Sequence, residues 1–215
     1  AGMPKGVVNL VTCSREELTA LIDHPEVNGV SFVGSESVGK KIYAAAATAG
    51  KRVQALTEAK NHALVLEDAP LEWTARRIIN SAFGCAGQRC MALPAVVVQE
   101  NVADDFVRVM IKLAKELVVG AAYDPKTELG PLVSAAQQAS VEKWIATGLA
   151  EGAELVLDGR GCRPKGFEKG FFVGPTIFDK VKPGMSVGDE EIFGPVMCVK
   201  RCKDFEEGLA IMNAN

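Results

Sequence analysis

The sequence predicts an α/β fold: a mostly parallel open sheet with flanking helices. Short β-branched runs alternate with amphipathic stretches of helical period, the pattern of crossover helices on a parallel sheet. Glycines and capping residues stand at the changeovers. Length agrees, because 215 residues, 48% of them hydrophobic, can build one large domain or two small ones around a substantial core.

In chain order, Gly6 to Val11 reads as a strand, and Ser14 with Glu17 offers a capping box for a helix over 16–22. Gly29 to Val33 is the next strand and ends at Gly34-Ser35. Val38, Ile42, Ala45, Ala46 and Ala49 share one helical face, so 36–49 is a helix that stops at Gly50. Arg52 to Leu56 and His62 to Leu66 are strands separated by a polar connection, and 72–82 is helical. Ala95 to Gln99 is a strand with three consecutive valines. Val102, Phe106, Met110, Leu113 and Leu117 then mark the buried stripe of a helix. A helix over 134–150 precedes strand Glu154 to Leu157, and the Gly-, Lys- and Arg-rich stretch 159–170 is a surface loop. Phe171 to Phe178 and Val196 to Arg201 are strands flanking the connection 182–195, and 204–212 is helical. The boundary between two lobes falls near residue 60, giving domains 1–59 and 60–215.

Composition excludes several functions. With 24 basic against 27 acidic side chains and no basic cluster, the chain lacks the footprint of a nucleic-acid binder. No apolar run approaches the roughly 20 residues that cross a bilayer, which implies a soluble protein with no membrane partner. No secretory or transit peptide is visible at the N-terminus. Six cysteines scattered over a chain too long to need staples favour free thiols in a reducing compartment, either cytoplasm or mitochondrial matrix. The start at Ala1 and the stop just after a helical run look like the ends of a piece of a longer polypeptide.

Two segments are chemically suggestive. Gly34-Ser35-Glu36-Ser37-Val38-Gly39 lies between a strand and a helix, where glycine lets backbone approach a ligand and free amides attract phosphate. The same residues also suit a plain tight turn. Gly84-Cys85-Ala86-Gly87-Gln88-Arg89-Cys90-Met91 places thiols among small residues beside a cation, Arg89, as a reactive thiolate requires. Cys13, Cys162, Cys198 and Cys202 read as inert small hydrophobes. No C-x-x-C pair or histidine cluster supports a metal site, and only His24 and His62 could serve a thiol as base.

These segments, taken with Glu191-Ile192-Phe193-Gly194-Pro195-Val196, resemble the aldehyde dehydrogenase superfamily in order and spacing. Phe32-Val33-Gly34-Ser35 with Val38-Gly39 is similar to its cofactor turn, and Gly87-Gln88-Arg89-Cys90 to its nucleophile segment. Ala59-Lys60-Asn61-His62 and Ala86 to Ala92 look most like the methylmalonate-semialdehyde branch. The resemblance is to the middle and later part of the family's chain. It implies the second half of a Rossmann-like NAD-binding domain over 1–59 and a catalytic domain over 60–215. It further implies Cys90 as the nucleophile, with its backbone amide in the oxyanion hole. Ser35, Gly34 and Gly39 would lie at the pyrophosphate of NAD, Glu191 at the nicotinamide ribose and Phe193 near the nicotinamide. Arg89 is a candidate clamp for a substrate carboxylate. The full-length protein is expected to be a homo-oligomer acting on a small-molecule aldehyde.

One departure bears on the acyl acceptor. Hydrolytic members carry Glu-Leu-Gly-Gly-Lys where this chain has Leu56-Thr57-Glu58-Ala59-Lys60, so leucine replaces the general base. An alkyl chain takes no proton, and such a base typically contributes about 10² to 10⁴ in rate. A thiol ionises far more readily than water, so coenzyme A is the expected co-substrate, as in the branch this chain resembles. Glu58 is either a surface acid or, sharing a strand face with Leu56, a substitute base that would make the enzyme hydrolytic. Two other readings stay open: an inactive folded fragment with half a cofactor site, and a thiol hydrolase with no redox role.

Overall fold

The computed structural model describes residues 2–214. The chain divides after Glu58 into two compact units. In the first, α1 (Arg15–Asp23) begins at the expected capping box. The Glu17 N–H donates to Ser14 Oγ (3.3 Å) and the Ser14 N–H to Glu17 Oε2 (2.7 Å), satisfying amides the helix start leaves free. Strands β1 (Gly29–Val33) and β2 (Arg52–Leu56) pair in parallel through the crossover helix α2 (Glu36–Thr48). Its buried apolar side chains among the described residues are Ile22, Ile42 and Ala46.

Gly6 to Val11 does not form the expected strand. A β-branched run becomes a strand only where a neighbour supplies hydrogen bonds and cover. Here Val7, Val8, Leu10 and Val11 are all exposed, Leu10 by 91%.

The second unit holds β3 (His62–Val65), α3 (Leu71–Phe83), β4 (Ala95–Gln99), α4 (Glu100–Glu116) and α5 (Ala135–Ala150). After these come β5 (Glu154–Leu157), β6 (Thr176–Asp179), α6 (Ser186–Asp189), β7 (Val196–Cys202) and α7 (Phe205–Asn213). Its sheet runs β3-β4-β7-β6-β5, parallel except for the β5–β6 pair. The valines of β4 are fully buried, which is why this strand reads as a continuous apolar run rather than an alternating one. Phe106 and Met110 of α4, Ile145 of α5 and Phe178 of β6 belong to the same core.

The expected strand over 171–178 starts only at Thr176. Pro175 has no N–H for a ladder, and Gly174 spends its own on the Gly159 carbonyl (2.8 Å), so residues 171–175 are shaped by loop contacts. The connection 182–195 contains the short α6, which the sequence did not announce. Among the described residues no helix is long and apolar enough to cross a membrane.

Candidate active site

In the second unit, the segment after α3 has an unusual backbone. Cys85 (φ 55°), Ala86 (φ 52°) and Gly87 (φ 68°) are successive left-handed residues. That conformation costs roughly 1 to 2 kcal/mol for each residue bearing a Cβ, so the surroundings must enforce it. Three contacts do so. Gly87 lies so close to the Gly194 carbonyl that a Cβ there would collide with it. Gln88 receives the Val133 N–H on its Oε1 (3.1 Å) and donates weakly through Nε2 to the Cys85 carbonyl (3.4 Å). Asn61 donates through Nδ2 to the carbonyls of Cys90 and Ala92, both at 2.9 Å. The result is a tethered loop with the Cys90 thiol exposed at its surface.

A second tethered loop faces it. Residues 190–195 connect α6 to β7, and Phe193 is also left-handed (φ 54°). Gln137 of α5 donates through Nε2 to the Phe193 carbonyl (2.9 Å) and the Ile192 carbonyl (3.3 Å). Lys60 donates through Nζ to the carbonyls of Glu190 (2.7 Å) and Val187 (3.0 Å). Cys90, Arg89, Asn61, Glu191 and Phe193 line one cleft between these loops. The structure thus brings together four sequence-designated residues, Cys90, Arg89, Glu191 and Phe193. The Arg89 guanidinium lies over the Gly84 backbone of its own loop, where a Cβ would strike it.

Beneath the second loop is a buried polar group. Lys60 is 9% exposed, and burial pushes its ammonium below the usual lysine range, with Lys200 adding like-charge repulsion. Lys200 reaches Asp189 Oδ1 at 3.0 Å. The buried Cys198 thiol lies 3.2 Å from the Val187 carbonyl, and burial raises its pKa, so it is inert at neutral pH. His62 contacts the Lys60 carbonyl through Nδ1 (2.7 Å), and burial lowers its pKa. Among the described residues no group of three or more His, Cys, Asp or Glu is placed to hold a metal ion.

The first unit carries the other designated residues. Ser35 caps α2 without using its side chain, which leaves the hydroxyl available to a ligand. Gly34 and Gly39 have a packing role as well: a Cβ at Gly34 would meet the Phe32 ring, and one at Gly39 the Thr57 methyl. Leu56 ends β2 with 51% exposure. Glu58 does not share a strand face with Leu56, because β2 ends at Leu56. Its carboxylate turns instead to the start of α2, where Oε1 accepts the Glu36 N–H at 3.1 Å. An acid there suits the helix dipole and satisfies a free amide.

Sequence reading assigned no role to Lys60, Asn61, Gln88 or Gln137. The first three stand inside the quoted motifs, so their position was a signal. What each holds is a backbone group distant in sequence, a carbonyl for Lys60, Asn61 and Gln137 and the Val133 N–H for Gln88, and no local pattern reports that.

The model of the aldehyde dehydrogenase family matches residues 1–215. The malonate-semialdehyde dehydrogenase of Pseudomonas aeruginosa is 46% identical over 214 residues, covering 99% of this chain and 43% of that protein. The crystal structure of methylmalonate-semialdehyde dehydrogenase from Oceanimonas doudoroffii superposes with a TM-score of 0.95 at 39% identity, covering all of this chain and 44% of that one. An aldehyde dehydrogenase from Mycobacterium tuberculosis, solved with NAD+, gives 0.93 at 34% identity, over 99% of this chain and 44% of that one. The chain therefore spans somewhat under half the length of the relatives it matches. Sequence and fold agree over its whole extent, and the chain belongs to the aldehyde dehydrogenase family.

Proposed function

We propose that this chain supplies the catalytic half of an NAD-dependent, coenzyme-A-acylating semialdehyde dehydrogenase. Residues 60–215 form its catalytic domain and 1–59 the later half of its cofactor domain. The observation supporting this most directly is the shared cleft, in which an exposed thiol on a strained loop faces a carboxylate and an aromatic ring. The named relatives, malonate- and methylmalonate-semialdehyde dehydrogenases, support the substrate class.

In this reading the Cys90 thiolate adds to the aldehyde carbon, giving a thiohemiacetal whose oxyanion the Cys90 backbone amide stabilises. The residues fit NAD: Ser35 keeps a free hydroxyl at the start of α2, and Glu191 and Phe193 share the thiol's cleft. Ser35, with Gly34 and Gly39, would hold the pyrophosphate. Glu191 would hold the ribose hydroxyls and Phe193 would pack near the nicotinamide. Bound NAD supplies the hydride acceptor that leaves a thioester on Cys90. Arg89 would grip a carboxylate at the far end of the semialdehyde. With leucine at position 56 and Glu58 engaged at α2, no side chain is assigned to activate water, and a thiol takes the acyl group. The whole protein would be a homo-oligomer of the cytoplasm, or of the mitochondrial matrix in a eukaryote.

Intact-protein mass spectrometry after incubation with malonate semialdehyde and NAD tests this. The expected result is an acyl adduct on Cys90, absent in Cys90→Ala, with NADH beyond one turnover only when coenzyme A is added. Steady NADH release in buffer alone would remove the acyl-acceptor assignment, and no adduct at all would remove the nucleophile. Because the chain spans under half of its relatives' length, a second reading is a folded but inert piece. Micromolar NAD binding by calorimetry would exclude that.

A further inference from the structure

The two loops of the cleft are far apart in sequence, yet both are gripped by neighbouring residues. Asn61 spends its side-chain N–H groups on the carbonyls of Cys90 and Ala92, on either side of Met91. Lys60 spends its ammonium on the carbonyls of Val187 and Glu190, the latter directly preceding Glu191. We propose that Lys60-Asn61 is a positioning element that sets the thiol of Cys90 against the carboxylate of Glu191 across the cleft. This rests on the roles given to those two residues above.

Physical cost favours the assignment. A buried ammonium is expensive, and here it is spent on neutral carbonyls beside a second buried ammonium, that of Lys200. An apolar residue of similar volume would fill the space more cheaply, but it would leave the Glu190 carbonyl, directly before Glu191, without this donor and the Val187 carbonyl of α6 with only the weak Cys198 thiol. Asn61 is likewise irreplaceable by shape alone: aspartate fills the same volume but presents lone pairs to two carbonyls. Both loops hold left-handed, non-glycine residues that relax unless tethered. Because the two tethers start on consecutive residues leading into β3, the spacing between the loops is set by one stretch of backbone.

The test uses Asn61→Asp, Asn61→Ser and Lys60→Met in the 215-residue chain, read by amide hydrogen exchange with mass spectrometry. Asn61→Asp should speed exchange about 10-fold in 84–93, as expected for two lost hydrogen bonds, and leave 187–194 unchanged. Lys60→Met should do the reverse, and Asn61→Ser, which keeps one donor, should recover part of the protection. Alkylation of Cys90 should change in the Asn61 variants while Cys13 and Cys162, as internal references, do not. In the aldehyde assay, Asn61→Asp should lower kcat by up to about 100-fold with KM for NAD nearly unchanged, whereas Lys60→Met should chiefly raise that KM. A uniform rise in exchange reaching β4 and β7, or no change in either loop, overturns the proposal. The exchange and alkylation measurements need neither NAD nor aldehyde, so a chain that tethers its loops but forms no adduct would count against the proposed function alone.

Discussion

The two units start from the same sequence grammar and end differently. Both alternate β-branched runs with amphipathic helices on parallel strands. In the second, all four residues of β6 and the first four of β4 are buried, and a cluster including Phe83, Phe106, Ile145 and Phe178 fills the space between sheet and helices. In the first, β1 and β2 alternate between exposed and half-buried, and Val33 remains 68% exposed. Parallel strands are stable when both faces are covered, and a two-stranded sheet alone is marginal. Pattern therefore specifies which residues can be strands, and cover decides how much stability they contribute. The proposed chemistry divides along the same line, with covalent steps on the well-packed unit and phosphate anchoring on the sparse one.

The largest test of that contrast is core truncation. Phe178→Ala should cost about 4 kcal/mol in urea unfolding, whereas Val33→Ala should stay within about 0.5 kcal/mol. Equal effects would abolish the distinction. Ion pairs should follow with a smaller gap. Asp189→Asn strips the buried Lys200 of its partner and is expected to cost about 2 to 3 kcal/mol. Breaking the exposed Lys40–Glu36 pair of α2 with Glu36→Gln should be close to neutral by the same melts.

Acid should loosen the second unit at one identifiable place. Glu151 accepts the hydroxyl and N–H of Ser186 and the Val187 N–H, and these bonds, the hydroxyl foremost, hold its carboxyl below the ordinary value of 4.5. A depressed carboxylate contributes its stability above the unfolded value and loses it as pH falls through the folded one. Protection at 186–190, taken relative to the intrinsic exchange rate at each pH, should therefore fall below about pH 4.5, and Glu151→Gln should flatten that dependence. A profile identical in the variant would refute the assignment. The smallest effect concerns Glu58, whose carboxylate occupies an α2 amide in the proposed pyrophosphate cradle. Glu58→Gln should tighten NAD binding about 2- to 5-fold by calorimetry. Weaker binding would mean that Glu58 helps to build the cradle rather than compete for it.

Much of the architecture was legible because it rests on local rules. The Ser14–Glu17 box, the end of α2 before Gly50 and the α4 stripe all depend on residues within a few positions of each other. The failures were non-local. Gly6 to Val11 has strand composition but no pairing partner among the described residues, and 171–175 is held by loop bonds and ended by Pro175. Glu58 lay where a strand face was expected, yet its partner is an amide 22 residues upstream.

For the site, the chain by itself determined the chemistry available: a thiol among small residues beside a cation, an acid and an aromatic in a second motif, and leucine where hydrolytic relatives have a base. Those are properties of side-chain types and their order. Only the tertiary structure decided that the Cys90 and Glu191 loops face one another, that Cys85, Ala86 and Phe193 are left-handed, and that Lys60 and Asn61 grip carbonyls about 130 and about 30 positions away, respectively. A backbone carbonyl is the same acceptor in every residue. Which one a distant donor reaches depends on how the sheet and its helices pack, and no reading of neighbouring letters contains that.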